Sequence, residues 1–142
     1  MNNEEILEGN KLIAEFMGYK PCFSHIIDKY NYTQTVDGFL ITGKCNAGNH
    51  QEDEYENFAI KHLIFHYSWD WLMPVVEKIE SISELSLNRK CNFHVTIEKH
   101  QCVIMWGISF TISDIYDYNN SKISTVYKSV IEFIKWYNEN KL

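Results

Sequence analysis

Arginine is nearly missing from this chain. Arg89 is the sole one, and thirteen basic residues face nineteen acidic ones, for a net charge of −6. A protein that grips duplex nucleic acid needs a basic face to neutralise phosphates, so that class is excluded. A single small anion, held by a few lysines and backbone N–H groups, is still allowed. Long apolar runs are missing too. None approaches the roughly 20 residues that a membrane-spanning helix needs. The opening MNNEEILEG has neither a basic segment nor an apolar one, so no secretory signal is expected and a cytoplasmic setting is. The four cysteines, Cys22, Cys45, Cys91 and Cys102, form no CxxC pair. That argues against a zinc knuckle, and reduced thiols are favoured over disulfides. Gly43 and Gly48 are too isolated to build a phosphate-cradling loop.

Aromatic residues are plentiful instead, at 15% of a chain of 142 residues. That length fits one domain, residues 1–142, with a core of its own. Rings supply core volume and also stacking surface for flat ligands or partners.

Hydrophobic periodicity predicts three helices. The first covers Asn3 to Met17, capped by Asn2 or Asn3, with Ile6, Leu12, Ile13, Phe16 and Met17 on its apolar side. Gly18 suits its C-terminal turn, and Pro21 bars continuation. The second follows the string HYSWDWLMPVVEKIE, with Leu72, Val75, Val76, Ile79 and Ile82 as its stripe. Ser68 or Asp70 can cap it. Pro74 lacks an N–H and is harmless only in the first turn, which favours Asp70. The third begins after Ser121 and carries Ile123, Val126, Tyr127, Val130, Ile131, Ile134 and Tyr137 at helical spacing.

Strand signals fall between the helices. CFSHIIDKY reads as either a short helix or an irregular strand. Asp37-Gly38 reads as a turn before a strand from Phe39 to Thr42. Phe58 to Tyr67 reads as a strand with Leu63 and Phe65 on one face and His62, Ile64 and His66 on the other. Residues 91–112 read as a hairpin turning at EKHQ, with Gly107 marking a bulge, and Phe110 to Tyr116 either extending it or forming another strand. Residues 46–56 and YDYNNS read as loops. The sum is an α+β fold, a mainly antiparallel sheet of four or five strands packed with three helices.

SWDWLMPVVEKIES (Ser68 to Ser81), SKISTVYKSVIEFIKWYNE (Ser121 to Glu139) and NKLIAEFMG (Asn10 to Gly18) resemble a group of small uncharacterised proteins of Bacteroidetes-type bacteria, their prophages and phages. The three blocks cover a little under a third of the chain. The resemblance implies a phage or mobile-element setting. Accessory phage proteins of this size often bind and neutralise host proteins or nucleotide immune signals.

Several constellations bear on chemistry. Trp69 and Trp71 flank Asp70, and each helix position rotates by 100°, so both rings cannot point squarely into one core. Asp70 is either a helix cap or part of a site where a ring stacks beside a helix N-terminus. His62, His66 and His94 could in principle hold a metal, but ordinary histidine hydrogen bonds are favoured. Cys22 and His25 lie close, yet no nucleophile elbow accompanies them. Glu52, Asp53, Glu54 and Glu56 read as a solvated run. The chain is therefore expected to be a non-catalytic binding protein without a cofactor or metal. It would sequester a small molecule of nucleotide type through Lys61, His66, Tyr67, Trp69, Asp70 and Trp71, with residues 44–57 as a lid. Inhibition of a host protein is the alternative. Phe133 and Trp136, off the main stripe of the last helix, point to either a doubly buried helix or a homo-oligomer interface.

Overall fold

A computed structural model describes the backbone of residues 1–27, 33–42, 55–86 and 89–141, and side chains at 1–19, 39, 60–82 and 92–141. Three helices and antiparallel strands make the chain α+β. It divides into two compact units, Met1–Leu63 and Ile64–Leu142. The described strands fall into two sheets, of three and of four strands, where a single sheet of four or five was expected. The pairings of the described strands join sequence neighbours, so each sheet is a local meander.

In the first unit, α1 (Asn3–Phe16) starts with a full capping box. Asn2 Oδ1 accepts from the Glu5 N–H at 2.9 Å, and Glu5 Oε2 accepts from the Asn2 N–H at 2.9 Å. Glu4 and Glu5 also suit the positive end of the helix dipole. Gly18, at φ 76°, takes the left-handed conformation just past the end of the helix. Ile13 and Ala14 are fully buried. Asn10, also buried, donates from Nδ2 to the Leu63 carbonyl at 2.9 Å. β1 (Lys20–Ile27) resolves the open reading of CFSHIIDKY in favour of a strand. β2 (Thr33–Thr42) is longer than the expected Phe39 to Thr42, and Asp37-Gly38 lies inside it rather than in a turn. Pairing decides this: Phe23 stands opposite Asp37 and Cys22 opposite Gly38 in an unbroken register. β3 (Tyr55–Ala59) completes the sheet, and a single 3-10 turn follows, Ile60–His62.

That turn corrects the strand expected from Phe58 to Tyr67. Of these residues only Phe58 and Ala59 belong to a strand. The Leu63 N–H bonds the Ile60 carbonyl, and the Tyr67 and Ser68 N–H groups share the Ile64 carbonyl at 3.3 and 3.1 Å. Such i to i+3 and i+4 bonds are local turn geometry and leave no ladder. The alternation was nonetheless meaningful, because Leu63 and Phe65 are buried and His62 is exposed.

The second unit holds α2 (Trp69–Ser81), β4 (Ser83–Ser86), β5 (Arg89–Ile97), β6 (Gln101–Trp106), β7 (Phe110–Tyr116) and α3 (Lys122–Asn140). The expected hairpin is β5–β6, closed by the Glu98 N–H on the Gln101 carbonyl at 2.8 Å. β5 changes partner midway. Arg89 to Asn92 pair with β4, and Phe93 to Ile97 pair with β6. Gly107, at φ 68°, turns the chain between β6 and β7, and its N–H bonds the Asn92 carbonyl at 3.1 Å. The bulge sits elsewhere: the β6–β7 register slips between Ile104 and Met105, which makes Ile112 the extra residue of β7.

α3 packs on β6 and β7, α2 packs on β5, and the two helices touch. Their expected stripes are largely the buried ones: Leu72, Val75, Val76 and Ile79 on α2, and Val126, Tyr127, Val130, Ile131 and Ile134 on α3. Ile82 instead terminates α2 and is half-buried. Phe133 is fully buried, its ring edge-to-face with Phe93 at 4.9 Å. It therefore belongs to this unit's own core and cannot anchor an oligomer, while Trp136 is half-buried. A polar contact pins α3 to the sheet: Ser113 Oγ donates to Glu132 Oε2 at 2.8 Å and meets Ser129 Oγ at 2.8 Å. Burial pushes the nearby Cys102 thiol up, so it stays protonated at neutral pH.

The loop before α3 is organised by Asp117. Its carboxylate accepts from the Asn120 side chain, from the Asn119 N–H at 2.9 Å and from Lys128 Nζ at 3.2 Å. These bonds, led by Asn120, lower its pKa from 3.8 to about 2. A folded-state pKa below the unfolded one contributes stability above about pH 4 that is lost as pH falls through 2. Asp117→Asn is therefore expected to flatten the acid limb of the stability curve between pH 4 and about 2. Denaturant midpoints measured across that window check it; an unchanged slope would remove Asp117 as a cause.

Candidate functional site

The start of α2 is where the expected site residues can be placed. Residues 65–67 form a tight turn on the Ile64 carbonyl, and the Ser68 carbonyl accepts from Trp71 and Leu72 at 3.2 and 2.9 Å. The chain thus passes from turn to helix within one residue. Ser68 is the N-cap, two residues before the expected Asp70, and its side chain makes no capping bond. Asp70 lies in the first turn, and Pro74 lies inside the helix. Pro74 offers no N–H to the Asp70 carbonyl. Burial of the stripe from Trp71 onward outweighs that single missing bond.

This register separates the two tryptophans. Trp71 is 8% exposed and meets Phe65 edge-to-face at 5.2 Å. Trp69 is 38% exposed and Tyr67 62%. His66 is half-buried, edge-on to Tyr67 at 4.6 Å and to Tyr127 at 6.1 Å. Burial pushes the His66 imidazole below its ordinary value, so it is neutral at pH 7 and supplies no positive charge to an anion. Asp70 is exposed and brings a negative charge to the first turn.

Of the six expected ligand contacts, His66, Tyr67, Trp69, Asp70 and Trp71 gather in this one segment. Trp71 is turned into the core, which leaves Tyr67 and Trp69 as the accessible rings. Lys61 is exposed on the 3-10 turn of the first unit. Tyr55 to Asn57, expected in the lid, belong to β3, and residues 43–54 lie outside the described residues. The side chains of Cys22, His25 and Glu56, and residues 52–54 entirely, also lie outside them. His62 and His94 are exposed on different elements, and no three His, Cys, Asp or Glu side chains among the described residues gather to hold a metal ion.

The structure also exposes a second aromatic pair. Tyr116 is 53% exposed and Tyr118 69%. They belong to the string YDYNNS, which reads only as a loop. Two tyrosines spaced by one acid, just after a strand, were the available signal. No family model, curated protein or solved structure matches the chain.

Proposed function

We propose that the protein is a non-catalytic binding protein that holds a small ligand with a flat aromatic ring, of nucleotide type, on Tyr67 and Trp69. One observation carries this reading. Two large rings are left in solvent within three residues, while their neighbours Phe65 and Trp71 are buried. Exposed aromatic faces are stacking platforms, and one base on one ring contributes about 1–3 kcal/mol. The Asp70 charge disfavours a phosphate directly on the helix start. The base would therefore contact the rings, with the phosphates directed away from the carboxylate. The phage setting and the role in sequestering an immune signal rest on the sequence resemblance alone.

A thermal-shift panel of mononucleotides and cyclic dinucleotides tests this, because a ligand that binds only the folded state raises the melting temperature. Trp69→Ala is expected to weaken the responding nucleotide by about tenfold to a hundredfold with the fold intact. Recovery of unchanged nucleotide after heat release would exclude hydrolysis. No response across the panel sinks the proposal.

Inhibition of a host protein is the second reading. Ile108, 94% exposed, and Phe110, 51% exposed, favour it, since both project apolar surface at the β6–β7 turn. Co-purification of a host protein that is lost in Ile108→Ser, without any nucleotide response, would select it.

A further inference from the structure

We propose that Tyr116 and Tyr118, together with the carboxylates of Glu98 and Asp114, form a site for a small organic ammonium cation. The β-register brings these groups together. Gln101 pairs with Tyr116 across β6–β7, and the Glu98 N–H bonds the Gln101 carbonyl across the hairpin. Glu98, Gln101 and Tyr116 therefore form one cross-strand row, whose side chains share a face of the sheet. Asp114 lies two residues before Tyr116 on that same face. It accepts from Gln101 Nε2 through one oxygen, at 2.9 Å. The Asp117 N–H bonds the His100 carbonyl at 2.8 Å, which holds the end of β7 against the hairpin turn.

Tyr116 stands in this row, and Tyr118 packs on it. Tyr116 and Tyr118 meet edge-to-face at 4.7 Å, and His100 packs on Tyr118 at 5.0 Å. His100 Nδ1 is buried without a hydrogen-bond partner among the described residues. More than half of each tyrosine remains in solvent. The Tyr116 phenol is pushed up, first by its hydrogen bond with Tyr118 and least by the charge of Glu98. It stays neutral at pH 7, and Glu98 lies within electrostatic reach of it.

Electron-rich faces beside two exposed carboxylates attract a cation and repel phosphate. The nearby positive charges do not cancel this. Lys128 is engaged by Asp117 at 3.2 Å, and Lys99 lies in the turn outside the row. The net charge of −6 acts in the same direction at longer range. A hard metal ion is the poorer fit, because it needs about six oxygen ligands and ring faces supply none. A weakly hydrated alkylammonium group uses both the faces and the charge.

Choline and its uncharged isostere 3,3-dimethyl-1-butanol separate charge from greasy contact. Each is titrated into the whole protein with carbon-13-labelled tyrosine rings, at constant ionic strength. Choline is expected to move the Tyr116 and Tyr118 ring signals saturably, with a dissociation constant on the order of millimolar for so exposed a site. The isostere is expected to move them little. Glu98→Gln, at an exposed position, is expected to weaken choline several-fold without changing the response to the isostere. Equal responses to the two compounds, no response to choline, or full choline binding in both Glu98→Gln and Tyr118→Leu would each overturn the proposal.

Discussion

Phe93→Ala is expected to destabilise the unit Ile64–Leu142 by about 3–5 kcal/mol. Phe93 is 1% exposed and sits at the residue where β5 leaves β4 and joins β6. Its ring meets Phe133 at 4.9 Å, Trp106 and Trp136 at 6.0 Å, and Tyr137 at 6.4 Å. Removing it takes away one ring's worth of transfer free energy. It also opens a cavity lined by four rings, held by a strand on one side and α3 on the other, which cannot easily collapse. Phe93→Leu, which refills most of the volume, is expected to cost markedly less. Tryptophan fluorescence during urea unfolding is a suitable readout, because all four tryptophans belong to this unit. A loss below about 1 kcal/mol for Phe93→Ala would mean that the aromatic cluster is not a core.

The pair Trp71→Ala and Trp69→Ala should behave in opposite ways. Trp71→Ala is expected to cost about 3–5 kcal/mol, because it empties a buried position against Phe65. Trp69→Ala removes a ring already substantially in solvent and is expected to cost less than about 1 kcal/mol. The binding effect should run the other way, with Trp69→Ala losing nucleotide affinity at unchanged stability. Urea midpoints and nucleotide titrations on the two variants check both halves. If Trp69→Ala proved the more destabilising, α2 would be rotated from the register described.

Much of this was readable along the chain because it is local. The cap of α1 needs only Asn2 and Glu5, three residues apart, and α3 needs only Ser121 and its spaced apolar residues. The β5–β6 hairpin turns within a few residues. At the candidate site, helical geometry alone required the two tryptophans of SWDW to diverge. It could not say which one would be buried. That depends on where the helix starts, and Pro74 gave misleading guidance toward Asp70. The Ser68 carbonyl begins the helix earlier, because the packed stripe that starts at Trp71 outweighs one absent N–H.

The elements that went astray are those settled by partners distant in sequence. Asp37-Gly38 has turn chemistry, yet a register of eight paired residues with β1 keeps it extended. Leu63 and Phe65 alternate like a strand, but their segment closes local turns on the Ile60 and Ile64 carbonyls. Phe133 lies off the stripe of α3, and its place against Phe93 decides for a doubly buried helix at that position. The row of Glu98, Gln101 and Tyr116 exists only through two pairings across β6. Composition, spacing and caps thus determined the class, the three helices and the hairpin. Tertiary structure alone decided which strands pair, which tryptophan faces water and which side chains share a surface. Propensity acts over a few residues, whereas burial and strand pairing are summed over the whole unit and prevail where the two conflict.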